Sequence, residues 1–229
     1  MLQKEKNEQN IALKTSQVVV PDRVADKAST LDIMFSMTDC CSMERKHTHS
    51  RHIQEYYCTI TSPAFAIPLL FCIKDVELHS LTAQAIFFSC LAGFMSTVYH
   101  ATLFKITSTL DVCFAAIANY VVCIAIISHR YNLRDSLFDH SSILVITLLV
   151  LLYGYNWKGT SHVVIPTMGV AAVSQGVVLV LAGDFLSLGV GIVAISCYLA
   201  DKLKIAPLHP LWHLFGGLYL YFALHNSIN

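Results

Sequence analysis

The sequence predicts an all-α protein, a seven-transmembrane helix bundle behind a polar N-terminal tail, and three observations carry that prediction. The first is composition: 55% of the 229 residues are hydrophobic and only 13% are charged, where a soluble domain carries about 25% charged residues. Mean hydropathy is +0.58. The second is organisation: beyond residue 52 the chain is a succession of apolar runs, most of them near the roughly 20 residues a helix needs to cross a bilayer. The third is the shortness of the polar breaks between runs, which makes successive helices antiparallel neighbours.

Taken in order, residues 1–38 form a polar tail with one short apolar run, Val18-Val19-Val20, and no signal peptide is visible in it. Residues 39–229 make the folded domain. Its entry, 39–52, is polar and holds Asp39, Glu44, His47, His49 and His52. The expected spans then run over 53–73, 80–103, 108–128, 141–157, 162–182, 184–200 and 207–226. The first contains Glu55, Pro63 and Pro68, and proline is tolerated in membrane helices because neighbours satisfy the freed carbonyls. The fourth and sixth are short. Leu188-Gly-Val-Gly191 and Gly216-Gly217 let helices approach closely. Of the eight cysteines, at least five lie in apolar runs, where cysteine behaves as a small hydrophobe, so their number defines no redox compartment. Net charge is zero, and nothing argues for a nucleic-acid partner.

Span parity brings the chain's costly polar residues to one depth. With seven spans, helix 2 ends on the side of the tail, and helices 3 and 7 begin there. His100 closes helix 2, Asp111 opens helix 3, and His209 and His213 occupy the first two turns of helix 7. Ser96 lies one turn deeper than His100. Asp201, Asp39, Glu44 and Glu55 share that face.

His209 and His213 stand four residues apart, so they project from one helix face. That is the spacing of the HExxH helix, here without its glutamate. With His100 as a third ligand they make a catalytic zinc set, three protein ligands and an open position for water. Asp111 is placed to orient that water or take its proton, and Ser96 to hydrogen-bond a developing oxyanion. Plainer readings stand beside these. Asp111 at a helix start also reads as a carboxylate facing water at the membrane surface, and serine in a helix commonly bonds its own backbone. His162 and His225 read as histidines bonded to neighbours. His47, His49 and His52, flanked by arginine and lysine, read as a solvated segment. Asp39, Glu44 and Glu55 form a candidate calcium site, since calcium takes carboxylate oxygens; Glu55 otherwise pairs with Arg51 or caps the first helix.

Three blocks of this sequence resemble the alkaline ceramidases, seven-span hydrolases of the wider group that includes the adiponectin and progestin receptors. They are Ser96-Thr-Val-Tyr-His100 with the later Leu110-Asp111, then Leu208-His209-Pro-Leu-Trp-His213 with Gly216-Gly217-Leu218, and Ile53-Gln54-Glu55-Tyr56-Tyr57 with Ile67-Pro68. The likeness covers about residues 38–226. It implies zinc on His100, His209 and His213, assisted by Asp111 and Ser96, and hydrolysis of the ceramide amide to sphingosine and a fatty acid. A ceramide or related lipid amide would enter from the bilayer, and the family's setting implies endoplasmic reticulum or Golgi membrane. The resemblance also implies regulatory calcium near the first helix. There the chain departs from the pattern: Asp39 and Cys41 are kept, but Cys40 stands for a tryptophan, Ser42 for an acidic ligand and Glu44 for an asparagine. The family's cysteine after the sixth helix has no counterpart following Asp201, which leaves Cys41 without that disulfide partner.

Two other functions fit parts of the sequence. One is a receptor-like protein of the same fold with a structural zinc site; the other is a transporter using Asp111 and the histidines as a proton relay. Seven basic residues border the spans on the tail side (Arg45, Lys46, Arg51, Lys105, Lys158, Lys202, Lys204) against three on the other (Lys74, Arg130, Arg134), which predicts a cytosolic tail. Acyl-chain preference and oligomeric state are not encoded in any motif.

Overall fold

A computed structural model of the protein describes residues 30–38, 42–72, 80–131, 133, 145, 148 and 157–228. The chain divides into two compact units, 1–34 and 35–229. The described part of the first is one short helix, α1 (Thr30–Met34). The regular structure described in the second unit is helical, apart from an isolated bridge between Met37 and Phe104.

The first expected span is broken into three pieces: α2 (Tyr56–Thr61), a 3-10 turn (Ser62–Ala66) and α3 (Ile67–Cys72). Glu44 starts it from outside, its carboxylate accepting the N–H groups of Tyr57 at 2.7 Å and Cys58 at 2.9 Å. These are helix-start donors that would otherwise lack a partner. The break follows from Pro63, which offers no N–H to the turn before it. Side chains intervene there: Thr61 Oγ1 donates to the Tyr57 carbonyl, and Ser62 Oγ lies 2.8 Å from that of Cys58.

Helix α4 (Leu81–Thr102) opens on Ser80, whose side chain accepts the Ala83 N–H, the usual role of serine at a helix start. It closes on Leu103, a left-handed residue at φ 52° whose N–H returns to the Tyr99 carbonyl. That conformation costs a non-glycine residue roughly 1–2 kcal/mol, offset here by complete burial of Leu103. Its carbonyl accepts both the N–H and the hydroxyl of Thr38, and Lys105 N–H donates to the Ser36 carbonyl. Residues 36–38 thus clamp the turn into α5 (Lys105–Tyr131).

Helices α6 (Trp157–Ala182) and α7 (Phe185–Lys202) are joined at Gly183, φ 72°, and Asp184, whose side chain accepts the Ser187 N–H. Helix α8 (His209–Ile228) completes the described bundle. Apolar side chains of α4, α5, α6 and α8 form the core, among them Ile86, Ile117, Val121, Val164 and Leu224. A polar chain crosses it: Tyr219 donates to Gln175 Oε1, and Gln175 Nε2 to Asn119 Oδ1 at 2.8 Å. It ties α8, α6 and α5 together.

Three described helices, α4, α5 and α7, are long and apolar enough to cross a membrane, and α6 carries a shorter apolar stretch, Pro166–Ala182. Val170, Val173, Val177, Leu186 and Ile192 stay exposed on the outside of α6 and α7. Such apolar faces are abnormal in water and ordinary against lipid. The expected spans at 80–103, 108–128, 162–182, 184–200 and 207–226 each fall on one helix, the third beginning three residues early and the fifth five. The span expected at 141–157 lies almost wholly outside the described residues.

Close approach is real at two of the glycine sites. A Cβ on Gly217 would stand 2.1 Å from the Ala64 carbonyl oxygen, and one on Gly216 2.8 Å from the Phe65 ring. Helix α8 therefore lies directly on the 3-10 turn. Gly191 meets Tyr219 at 3.0 Å, whereas Gly189 faces open space.

Candidate metal centre

One helix end and one helix start converge at one end of the bundle. His100 sits two residues before the end of α4, His209 opens α8, and His213 follows one turn later. One nitrogen from each imidazole lies within 4.8 Å of the other two. The ring centres are 4.8 to 5.2 Å apart. His100 and His213 are each 1% exposed and His209 8%. Three imidazoles buried at this density need partners, because unpaired polar groups in a dry interior are costly.

Two of the three rings have a hydrogen-bonding partner at Nδ1, and the third faces a carboxylate. For His100 it is Glu55 Oε2 at 2.6 Å, a carboxylate with no exposed surface. His213 has two hydroxyls, Thr61 Oγ1 at 3.1 Å and Ser62 Oγ at 3.3 Å. His209 faces Asp201 Oδ2 at 3.6 Å. That oxygen is fully buried and makes no hydrogen bond at this distance. A ligating histidine characteristically has its second nitrogen held by a carboxylate or other acceptor. The arrangement makes Nε2 the metal-facing nitrogen of all three.

The remaining predicted residues lie against this trio. Ser96, one turn before His100, accepts a hydrogen bond from Ser62 Oγ at 3.1 Å. Half-buried Asp111, on α5, lies near Ser96 and His100. Ser96, His100, Asp111, His209 and His213 are thus brought together from α4, α5 and α8.

Glu55, Cys58 and His100 form a second potential ligand group. Two ligands about 2 Å from one tetrahedral zinc stand about 3.3 Å apart. The 2.6 Å between Glu55 and His100 is too short for that. It is a hydrogen bond behind His100, so the three histidines are the better metal set. The donors, all nitrogen and buried, fit zinc, with room for a non-protein fourth ligand.

The candidate calcium residues have other work. Glu44 caps α2 with both carboxylate oxygens, and Glu55 uses one oxygen on His100 and the other on the Ser42 hydroxyl, at 2.7 Å. Asp39 lies outside the described residues. Both glutamates are hydrogen-bonded inside the fold. Glu55 does not pair with Arg51, an expectation its burial against His100 replaces. His47, His49 and His52 are exposed and form no potential metal group among the described residues; the His49 ring packs on Tyr57. His225 stacks on Tyr221, and the His162 side chain lies outside the described residues.

Sequence reasoning missed Thr61, Ser62 and Ser42, and it gave Asp201 no role beyond a shared depth. Hydroxyls in an apolar helix are too common to signal a site. The one pointer was their position beside Pro63, where a helix must open.

No protein-family model matches this chain, and comparison with curated proteins gives no significant match.

Proposed function

We propose that the protein is a membrane-embedded, zinc-dependent amidohydrolase of the seven-span type, acting on the amide bond of ceramide or a closely related lipid amide. The observation that carries this reading is the convergence of three buried imidazoles with Ser96 and Asp111 at one end of an apolar bundle. A structural metal site would need no such neighbours.

Zinc bound there would lower the pKa of a coordinated water to about 7 and so supply a nucleophile at neutral pH. The chain's own residues do the rest. Glu55 and the Thr61–Ser62 hydroxyls hold His100 and His213 through Nδ1, and the Asp201 carboxylate faces that of His209. Asp111 is the proton acceptor for the attacking water and then the donor to the leaving amine. The Ser96 hydroxyl, held by Ser62, hydrogen-bonds the carbonyl oxygen as negative charge develops on it. The apolar bundle excludes bulk water and accepts the lipid chains. An endoplasmic reticulum or Golgi setting and a cytosolic site follow from the resemblance and from the basic residues flanking the spans.

The test is release of fatty acid and sphingosine from long-chain ceramide by purified protein, with His213→Ala and zinc content measured alongside. Turnover with about one zinc per chain, both lost in the variant, is the expected result. Bound zinc without turnover on ceramide or other lipid amides would instead make the metal structural, as in a receptor. Flux of protons without metal would favour a transporter.

A further inference from the structure

The tripeptide Ser42-Met43-Glu44, outside the bundle helices, touches the support of two of the three histidines. Ser42 Oγ donates to Glu55 Oε1 at 2.7 Å, and the other oxygen of that carboxylate holds His100 Nδ1 at 2.6 Å. Met43 N–H donates to Asp201 Oδ1 at 3.1 Å, and the other oxygen of Asp201 faces His209 Nδ1. Glu44 caps α2, and its own N–H donates back to Ser42 Oγ at 3.1 Å. Ser42, Glu55 and Asp201 are at most 3% exposed. Three consecutive residues therefore orient two carboxylates that stand behind two metal-facing rings, and they fix the start of the helix that carries Thr61 and Ser62.

A carboxylate with one oxygen held by a neutral donor can direct the other at an imidazole in a single orientation. Without that donor the buried carboxylate is free to rotate and must find another partner. Resting on the zinc reading above, we propose that Ser42-Met43-Glu44 is a positioning strap for the metal centre, with Ser42 its principal residue acting on His100 through Glu55. Asp201 Oδ2, buried without a hydrogen-bond partner and 3.6 Å from His209 Nδ1, would be the acceptor for that ring if the three histidines held a metal.

Zinc affinity tests this directly, by competition with a chelator on the purified full-length protein, using wild type, Ser42→Ala, Ser42→Thr, Glu55→Gln and the Ser42→Ala/Glu55→Gln double variant. The melting temperature of each metal-stripped form is measured as well. Loss of a partner behind a ligand characteristically costs about 10–100-fold in metal affinity, and that is the expectation for Ser42→Ala. Ser42→Thr, which keeps the hydroxyl, should bind like wild type. The double variant should bind no more weakly than Glu55→Gln alone, since a residue acting through another adds nothing once that other is gone. Equal affinity of wild type and Ser42→Ala overturns the strap. So does additivity in the double variant, or a fall in metal-free melting temperature with affinity unchanged. A wild type that binds no zinc at all would instead defeat the metal reading itself.

Discussion

Single side chains decide what the three histidines can do. Ser96 and His100 share a helix face one turn apart, so the hydroxyl lies on the metal side of α4 rather than in lipid. Ser96→Ala should lower kcat by about 100- to 1,000-fold with little change in KM, as removal of an oxyanion donor does; steady-state kinetics on ceramide in mixed micelles would check it. An unchanged kcat would return Ser96 to a helix-packing role. Asp111→Asn keeps the side chain's size and removes its proton-accepting oxygen. Activity should fall by about 100-fold or more while zinc remains bound, a split that metal analysis and kinetics on one preparation would reveal. Among these residues the histidines and Asp111 were legible in the sequence, because ionisable groups in apolar runs are costly enough to announce themselves. Thr61 and Ser62 were not, because a hydroxyl in such a run is cheap, and neither was Ser42, because a serine in a polar segment carries no cost at all.

At the scale of elements, the first span is where expectation and structure part. A continuous helix over 53–73 would carry Thr61 and Ser62 past His213 on a regular spiral. The 3-10 turn forced by Pro63 presents both hydroxyls to one imidazole nitrogen instead. Helix α8 reaches that turn only because Gly216 and Gly217 have no side chains. Gly217→Ala should therefore destabilise the fold by at least about 3 kcal/mol, since the added carbon meets a backbone oxygen that has nowhere to move. It should also weaken zinc binding, because His213 lies one turn away on the same helix. Thermal melting and zinc titration of the variant would measure the two effects. A melting temperature and a zinc affinity both equal to wild type would mean that α8 does not rest on the 3-10 turn.

For the whole molecule, the site joins α4, α5 and α8 to the segment at 42–62, elements far apart in the chain. A ligand that binds only the folded state stabilises it by mass action. Saturating zinc at about 100 times its dissociation constant adds about 2.7 kcal/mol, so stripping the metal should lower the melting temperature, and restoring zinc should reverse the change. No difference between stripped and zinc-loaded protein would rule out a metal that bridges these helices. A seven-span chain puts its two ends on opposite sides of the membrane. Glycosylation acceptor sites added at each end should therefore be modified at the C-terminal end alone if the tail is cytosolic; modification of both ends or of neither would exclude an odd number of spans.

Composition and the spacing of apolar runs determined by themselves that the described bundle is helical, with helices apolar enough to cross a membrane, and where five of its helices lie. Those properties are local: they depend on hydropathy summed over about 20 residues, and no distant contact can reverse them. The same patterning set His209 and His213 on one face of one helix. Only the tertiary structure decided that His100 joins them, that Glu55 stands behind His100, and that the hydroxyls beside Pro63 stand behind His213. The hydrogen bonds behind those two rings link residues 45 to 152 positions apart. At that separation, position along the chain says nothing about direction, and only the packing of helix on helix supplies it.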